Sequence, residues 1–323
     1  MMTFFSSGVT DPQARRKALG VACGAGAGAL WGLVFLAPAL VRDFSPLMLT
    51  IGRYLFFGLI AAFLLVPRWR ALAPRLGRGH WRSLAWLAFT GNVLYYLLLS
   101  SAVQNGGIAM TSLVIGFLPV AVTVIGSRDH GAVPLRALLP SILLSVAGAV
   151  CIGWQAFAAP ASGGLGASVL GFACAVGALA SWTAFAVRNA RCLQRLEGVS
   201  GQDWNLLTGI VTGAQSLLLV PVALLLESAH HELGAWARFG AVSAGLALVA
   251  SIAGNALWNR MSRLLPLTLV GQMILFETLF ALVYGLAWER RAPTPLELLA
   301  LGFVVLSVVS CLAAHRPATA ASH

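Results

Sequence analysis

Ten uninterrupted apolar stretches, each of about 20 residues, follow one another along this chain and leave it few folds to choose from. They run from about Ala18 to Leu40, Pro46 to Val66, Trp81 to Val103, Gly107 to Gly126 and Pro134 to Trp154. The second five run from about Gly166 to Val187, Leu206 to Leu226, Phe239 to Trp258, Pro266 to Ala287 and Pro295 to Ala314. As a helix each spans the roughly 30 Å hydrocarbon core of a bilayer. The runs are continuously apolar rather than alternating with a period of two, which excludes a β-barrel. Only 10% of the 323 residues are charged, against about 25% in a soluble domain. The expected fold is therefore an all-α polytopic membrane protein.

The formal charge of +11 raises the question of nucleic acid, and its distribution answers it. Arg15, Arg16 and Lys17 precede the first stretch, and Arg68, Arg70, Arg75, Arg78 and Arg82 separate the second from the third. Every second connection continues the series with Arg128 and Arg136, then Arg188, Arg191 and Arg195, then Arg260 and Arg263, then Arg316 in the tail. The intervening connections hold Arg42, Arg238, Arg290 and Arg291 together with Asp43, Glu227, Glu232, Glu289 and Glu297. This is the positive-inside pattern, and it predicts both termini in the cytoplasm. No soluble segment exists to carry an RNA-binding face, so no nucleic-acid partner is expected. Arg15-Arg16-Lys17 and the small residues Ala37-Pro38-Ala39 imitate a secretory signal, but the apolar run between them exceeds the 7 to 15 residues, roughly, of a signal core. The first helix is read as retained. Cys23, Cys151, Cys174, Cys192 and Cys311 have no paired spacing, so neither a disulfide, a metal nor a cofactor is implied.

An internal repeat divides the chain. Gly91-Asn92-Val93-Leu94-Tyr95 in the third stretch returns as Gly254-Asn255-Ala256-Leu257-Trp258 in the eighth, Pro134-Leu135 returns as Pro295-Leu296, and Trp31 corresponds to Trp182. Two five-helix units are expected, residues 18–154 and 166–314, joined by a linker at 155–165 and flanked by cytoplasmic segments 1–17 and 315–323. Five is odd, so the second unit enters the membrane upside down relative to the first, as in transporters built from inverted repeats.

Away from the ends of the apolar stretches, only Arg53 and Glu277 place a formal charge inside them. A charge at membrane depth is costly, by roughly 2.5 to 3.5 kcal/mol on insertion scales, and marks a functional candidate. At about 1.5 Å per residue, Glu277 lies about 17 Å from Pro266, near the midplane, and Arg53 about 10 Å inside the outer end at Pro46. On those depths a direct bond between them needs a tilt or a long arginine reach. Arg53 offers a planar fork for a carboxylate; Glu277 offers a partner for an ammonium group or a site for a proton. The structural alternatives are an ion pair or anchoring near the interface. Asn92, Tyr95, Tyr96, Pro119, Trp31, Trp182 and Gln272 complete the candidate cavity lining; Asn92, Gln215, Asn255 and Gln272 serve equally as bonds between helices. Gly24 and Gly28 predict close helix packing, and Trp81, Trp154, Trp236 and Trp288 predict interfacial anchors.

The small residues before Trp31, Arg53, Tyr95-Tyr96, Thr111-Ser112 leading to Pro119, Leu257-Trp258-Asn259-Arg260 and Phe276-Glu277 together resemble the EamA-type transporters of the drug/metabolite transporter superfamily. The resemblance covers nearly the whole chain. It implies a ten-helix protein of the bacterial inner membrane that exports amino acids, other metabolites or drugs. The chain departs from the family in having Glu277-Thr278 where a Glu-Pro pair is frequent, and Leu118-Pro119 without the acid. The expected function is secondary active export of a small amphipathic molecule by alternating access, with Glu277 as the proton-coupling candidate and the lipid bilayer as surroundings. A passive channel is the alternative. An intramembrane enzyme is disfavoured: His80, His130, His230, His231, His315 and His323 all lie in connections or the tail, and no HExxH or GxSxG pattern occurs.

Overall fold

A computed structural model of the chain describes residues 12–126, 134–158, 164–227, 231–265 and 267–314. Helices occupy all ten apolar stretches: α1 (Pro12–Leu40), α2 (Pro46–Leu65), α3 (Arg78–Gly106), α4 in two pieces (Ile108–Ile115 and Leu118–Gly126) and α5 (Leu135–Ala158). They continue with α6 (Gly164–Gln194), α7 (Gly201–Leu226), α8 (Leu233–Leu246, Ala247–Gly254 and Asn255–Leu264), α9 (Leu267–Glu289) and α10 (Pro295–Ala313). No strand occurs among the described residues. Seven of these helices, α1, α2, α3, α5, α6, α7 and α8, are long and apolar enough to cross a membrane. Residues 1–11, 159–163 of the linker, Arg128, His130, His230, Pro266, His315, Arg316 and His323 lie outside the described residues, as do the side chains of Arg263 and Gln272.

Local chemistry sets the helix ends. The Ser45 hydroxyl accepts the Met48 N–H at 3.2 Å and Pro46 occupies the first turn, so α2 starts cleanly. Ser200 caps α7 in the same way, accepting from Asp203 N–H at 3.0 Å. Gly107 alone joins α3 to α4 with φ of +88°, a left-handed value that any side chain would strain. The fourth stretch is expected to be one helix and is broken instead at Gly116 and Phe117. Pro119 is the cause: it has no N–H to donate to Ile115, and the new piece begins with Val120 N–H bonding Phe117 O at 3.1 Å.

Packing is tightest where glycines let backbones meet. The crossing of α2 and α7 sits at Gly58 and Gly213, where a Cβ on Gly58 would lie 2.8 Å from the Gly213 Cα. Helix α1 lies along α9 through Gly24 and Gly28, as the small-residue face predicts, and also along α8. Helix α3 lies against α6, α5 against α10, and α4 against both α6 and α9. Phe35, Phe44, Leu49, Tyr54, Tyr96 and Leu99 are fully buried at the centre. Outward faces carry Phe63, Leu218 and Leu225, at 77%, 76% and 84% exposure, so the outer skin is apolar and suited to lipid.

The two ends of the bundle differ in charge. At one end Arg68 of the α2–α3 connection pairs with Asp203 at 2.7 Å and Arg75 bonds the Gly198 carbonyl, with Arg188, Arg191 and Arg195 close by. At the opposite end Arg238 pairs with Asp43 at 2.6 Å, and Arg291 with Glu289 and Glu297 at 2.7 and 2.6 Å.

Candidate functional site

Arg53, two turns into α2, is 8% exposed, and its guanidinium lies 4.3 Å from the centre of the Tyr96 ring and 5.0 Å from that of Tyr54. Desolvated cation–π contacts of this kind contribute about 2 kcal/mol. They use the faces of the rings and leave the N–H donors unspent: Arg53 Nε and Nη1 have no hydrogen-bond partner. The Tyr96 hydroxyl sits beside Arg53 and Ser100 without closing a well-formed hydrogen bond to either. Two buried donor nitrogens of one cation therefore lack an acceptor.

Glu277 enters from α9, partly buried. Arg53 and Glu277 lie close enough for their charges to act on one another and on Tyr95 of α3. No ion pair joins them. Glycine supports the acid from behind, since a Cβ on Gly28 of α1 would come within 2.8 Å of the Glu277 backbone nitrogen. Arg53, Tyr95, Tyr96 and Glu277 are thus brought together. Tyr54 belongs to the same cluster and is absent from the sequence-based selection; its signal was an aromatic hydroxyl beside the single arginine of its span.

The remaining candidates divide. Trp182 stands 6.4 Å from Tyr95 and 5.6 Å from Phe185, extending the aromatic wall from α6. Trp31 lies 5.1 Å from Trp258 and donates its indole N–H to Ala250 O at 3.0 Å. Asn92 donates to the Thr212 hydroxyl at 2.8 Å and Gln215 to Ala85 O at 2.8 Å, each linking α3 with α7. Pro119 breaks α4, and the Gln272 side chain lies outside the described residues.

Two helices depart from α geometry where the repeated motif falls. Phe89–Leu94 in α3 and Ala247–Gly254 in α8 wind as π-helix, a form concentrated at functional sites. Each receives a side-chain donor from a neighbouring helix: Ser181 Oγ of α6 donates to Thr90 O at 2.7 Å, as Trp31 of α1 does to Ala250 O.

A cavity of about 600 Å³ lies at the acid-bearing end, lined in part by Gln104, Gln155, Glu289, Arg291 and Glu297. Arg291 grips Glu297 through both terminal nitrogens at 2.7 and 2.6 Å, and Thr294 N–H donates to Glu297 at 2.8 Å. The Glu297 hydrogen bonds, helped by Glu289, hold the Arg291 pKa above its ordinary value against the effect of burial. A second cavity, of about 760 Å³, opens at the arginine-bearing end.

A helical bundle with an apolar skin, whose deep charges face inward, is a multi-pass membrane protein. The EamA-like transporter family matches residues 18–154. The inner membrane protein YtfF of Escherichia coli (strain K12) is 30% identical over 312 residues, covering 91% of this chain and 95% of that protein. The chain belongs to the EamA-like transporter family, within the drug/metabolite transporter superfamily, and is a membrane transporter. A solved crystal structure with 19% identity shares the fold, with a TM-score of 0.56 over 93% of this chain and all of that one.

Proposed function

We propose that the chain is a secondary active transporter that exports amino acids or other small amphipathic metabolites or drugs by alternating access between two inverted five-helix halves. The observation that carries this reading is the placement of Arg53, from the first half, and Glu277, from the second, close enough to act on one another and on Tyr95 without forming an ion pair. A solute with a carboxylate and an ammonium group satisfies both, with the tyrosine and tryptophan rings covering its apolar part. Proton exchange at Glu277 supplies the coupling. The pairing of helices supports the inverted repeat: α2 lies on α7, α5 on α10 and α4 on α9, while α1 with α8 is matched by α6 with α3. The two π-helical segments overlap when Gly91 is set against Gly254 and provide places for the helices to bend. The arginine distribution supports an inner-membrane orientation with both termini cytoplasmic.

Counterflow in proteoliposomes, screened with radiolabelled amino acids and metabolites, tests this reading. Accelerated, saturable exchange is expected for at least one zwitterionic solute; flux that never saturates identifies a passive channel instead.

A further inference from the structure

The cavity of about 760 Å³ at the arginine-bearing end has a composition that transport of a central solute does not require. Arg188 and Arg191 of the last turns of α6 and Arg195, in the turn that follows it, line the cavity with three cations. Among the described residues no carboxylate lines it. The nearby Asp203 is engaged by Arg68 at 2.7 Å and by the Ser200 hydroxyl at 2.7 Å, so it does not neutralise the site.

Two of the lining residues have fixed neighbours. The Arg188 guanidinium carbon lies 5.0 Å from the centre of the Trp86 ring, a cation–π contact that spends no N–H donor on a hydrogen-bond acceptor. His80, in the first turn of α3, accepts the Gly77 N–H on Nδ1 at 3.0 Å, which orients the ring and leaves Nε2 for the cavity that His80 lines. Ser83 adds a hydroxyl. The rim is apolar and outward-facing: Trp86 and Ile125, both lining the cavity, are 37% and 42% exposed on a bundle whose outer skin faces lipid. A cationic pocket beside a tryptophan at the level of the headgroups suits a phosphate that brings acyl chains with it.

We propose that this cavity is a binding site for the phosphate headgroup of an anionic phospholipid, with Arg188 and Arg195 as its principal cations and Trp86 packing against the glycerol and upper acyl region. The site is separate from the Arg53–Glu277 cluster, whose residues do not line it.

The full-length protein in phosphatidylcholine nanodiscs, titrated with phosphatidylglycerol, tests the assignment by native mass spectrometry and by thermal unfolding. Retention of phosphatidylglycerol and a raised unfolding temperature are expected. Arg188→Gln and Arg195→Gln should each weaken retention roughly fivefold, the effect of one interfacial arginine on an anionic lipid. Arg70→Gln, an exposed residue of the same end outside the cavity, removes the same charge and should leave retention unchanged. The unfolding temperature of all three variants in phosphatidylcholine alone should match that of the parent. Equal loss in Arg70→Gln, no loss in the cavity variants, or equal protection by inorganic phosphate overturns the proposal.

Discussion

Trp31 of α1 reaches into α8 and donates its indole N–H to the carbonyl of Ala250 at 3.0 Å, inside a π-helical segment. Inserting a residue into a helical ladder leaves a carbonyl in need of an outside donor at the transition. Ser181 serves Thr90 in the same way in α3. Trp31→Phe keeps the ring and loses the donor, so it should lower stability by about 1 to 3 kcal/mol, the effect of stranding a buried acceptor. Thermal unfolding of the purified variant checks this, and Ser181→Ala should behave alike.

Glu277→Gln keeps the shape of the side chain and removes its proton chemistry. If Glu277 couples transport to protons, the variant should lose acceleration by an imposed pH difference, while counterflow, which needs no gradient, falls only as far as the lost charge weakens binding of the ammonium group. Both are measured in the same proteoliposomes. Undiminished pH-gradient drive in the variant would sink the coupling assignment.

From the sequence, Glu277 lies near the midplane and Arg53 nearer the outer surface, so a direct bond between them needs a tilt or a long arginine reach, and no ion pair joins them. The structure brings their charges into mutual range. The depths were counted from opposite faces: about 10 Å from one end and 17 Å from the other leave a difference of only about 3 Å in a 30 Å core. The ten helices were legible because hydropathy averages over some 20 residues and tolerates local error. Breaks of hydrogen-bond register leave no such trace. The π segments in α3 and α8 could be suspected only from the repeated Gly91-Asn92 and Gly254-Asn255 pairs, and the gap in α4 only from Pro119. Tyr54 was overlooked because one tyrosine in an apolar run is ordinarily packing; its place under Arg53 is a matter of rotamer.

Arg53→Ala removes both the stacking on Tyr96 and Tyr54 and the unspent N–H donors. If those donors receive a substrate carboxylate, affinity should fall roughly tenfold to a hundredfold, in line with about 1.5 to 3 kcal/mol for a hydrogen bond to a charged group. Arg53→Lys keeps the charge without the planar fork and should fall between. Transport kinetics on a solute found by counterflow provide the measurement; unchanged KM and rate in Arg53→Ala would remove both substrate recognition and gating from its roles.

The α2–α7 crossing has no room for a side chain at Gly58, where an added Cβ meets the Gly213 backbone at 2.8 Å. Gly58→Leu must push the helices apart and should cost about 1 to 3 kcal/mol or more. A substitution of the outward Phe63 by Leu, 77% exposed, should change little. Unfolding temperatures of the pair in one detergent separate close approach from mere apolarity.

Arg291 and Glu297 close the acid-bearing end through a two-point contact, and Thr294 ties the same corner to Gln155 of α5 at 3.1 Å. Glu297 is 4% exposed, so removing Arg291 leaves a carboxylate with little water and the Thr294 backbone N–H as its donor. Arg291→Gln should therefore destabilise by about 1 to 3 kcal/mol. Glu297→Gln alone leaves a more exposed arginine that still holds Glu289 at 2.7 Å, and should cost less. The double variant strands neither charge, so its loss should be smaller than the sum of the two, with a coupling of about 0.5 to 3 kcal/mol in a double-mutant cycle. Strict additivity would mean that the contact is a surface pair without energetic consequence, and that the corner is held by the Thr294–Gln155 bond and helix packing instead.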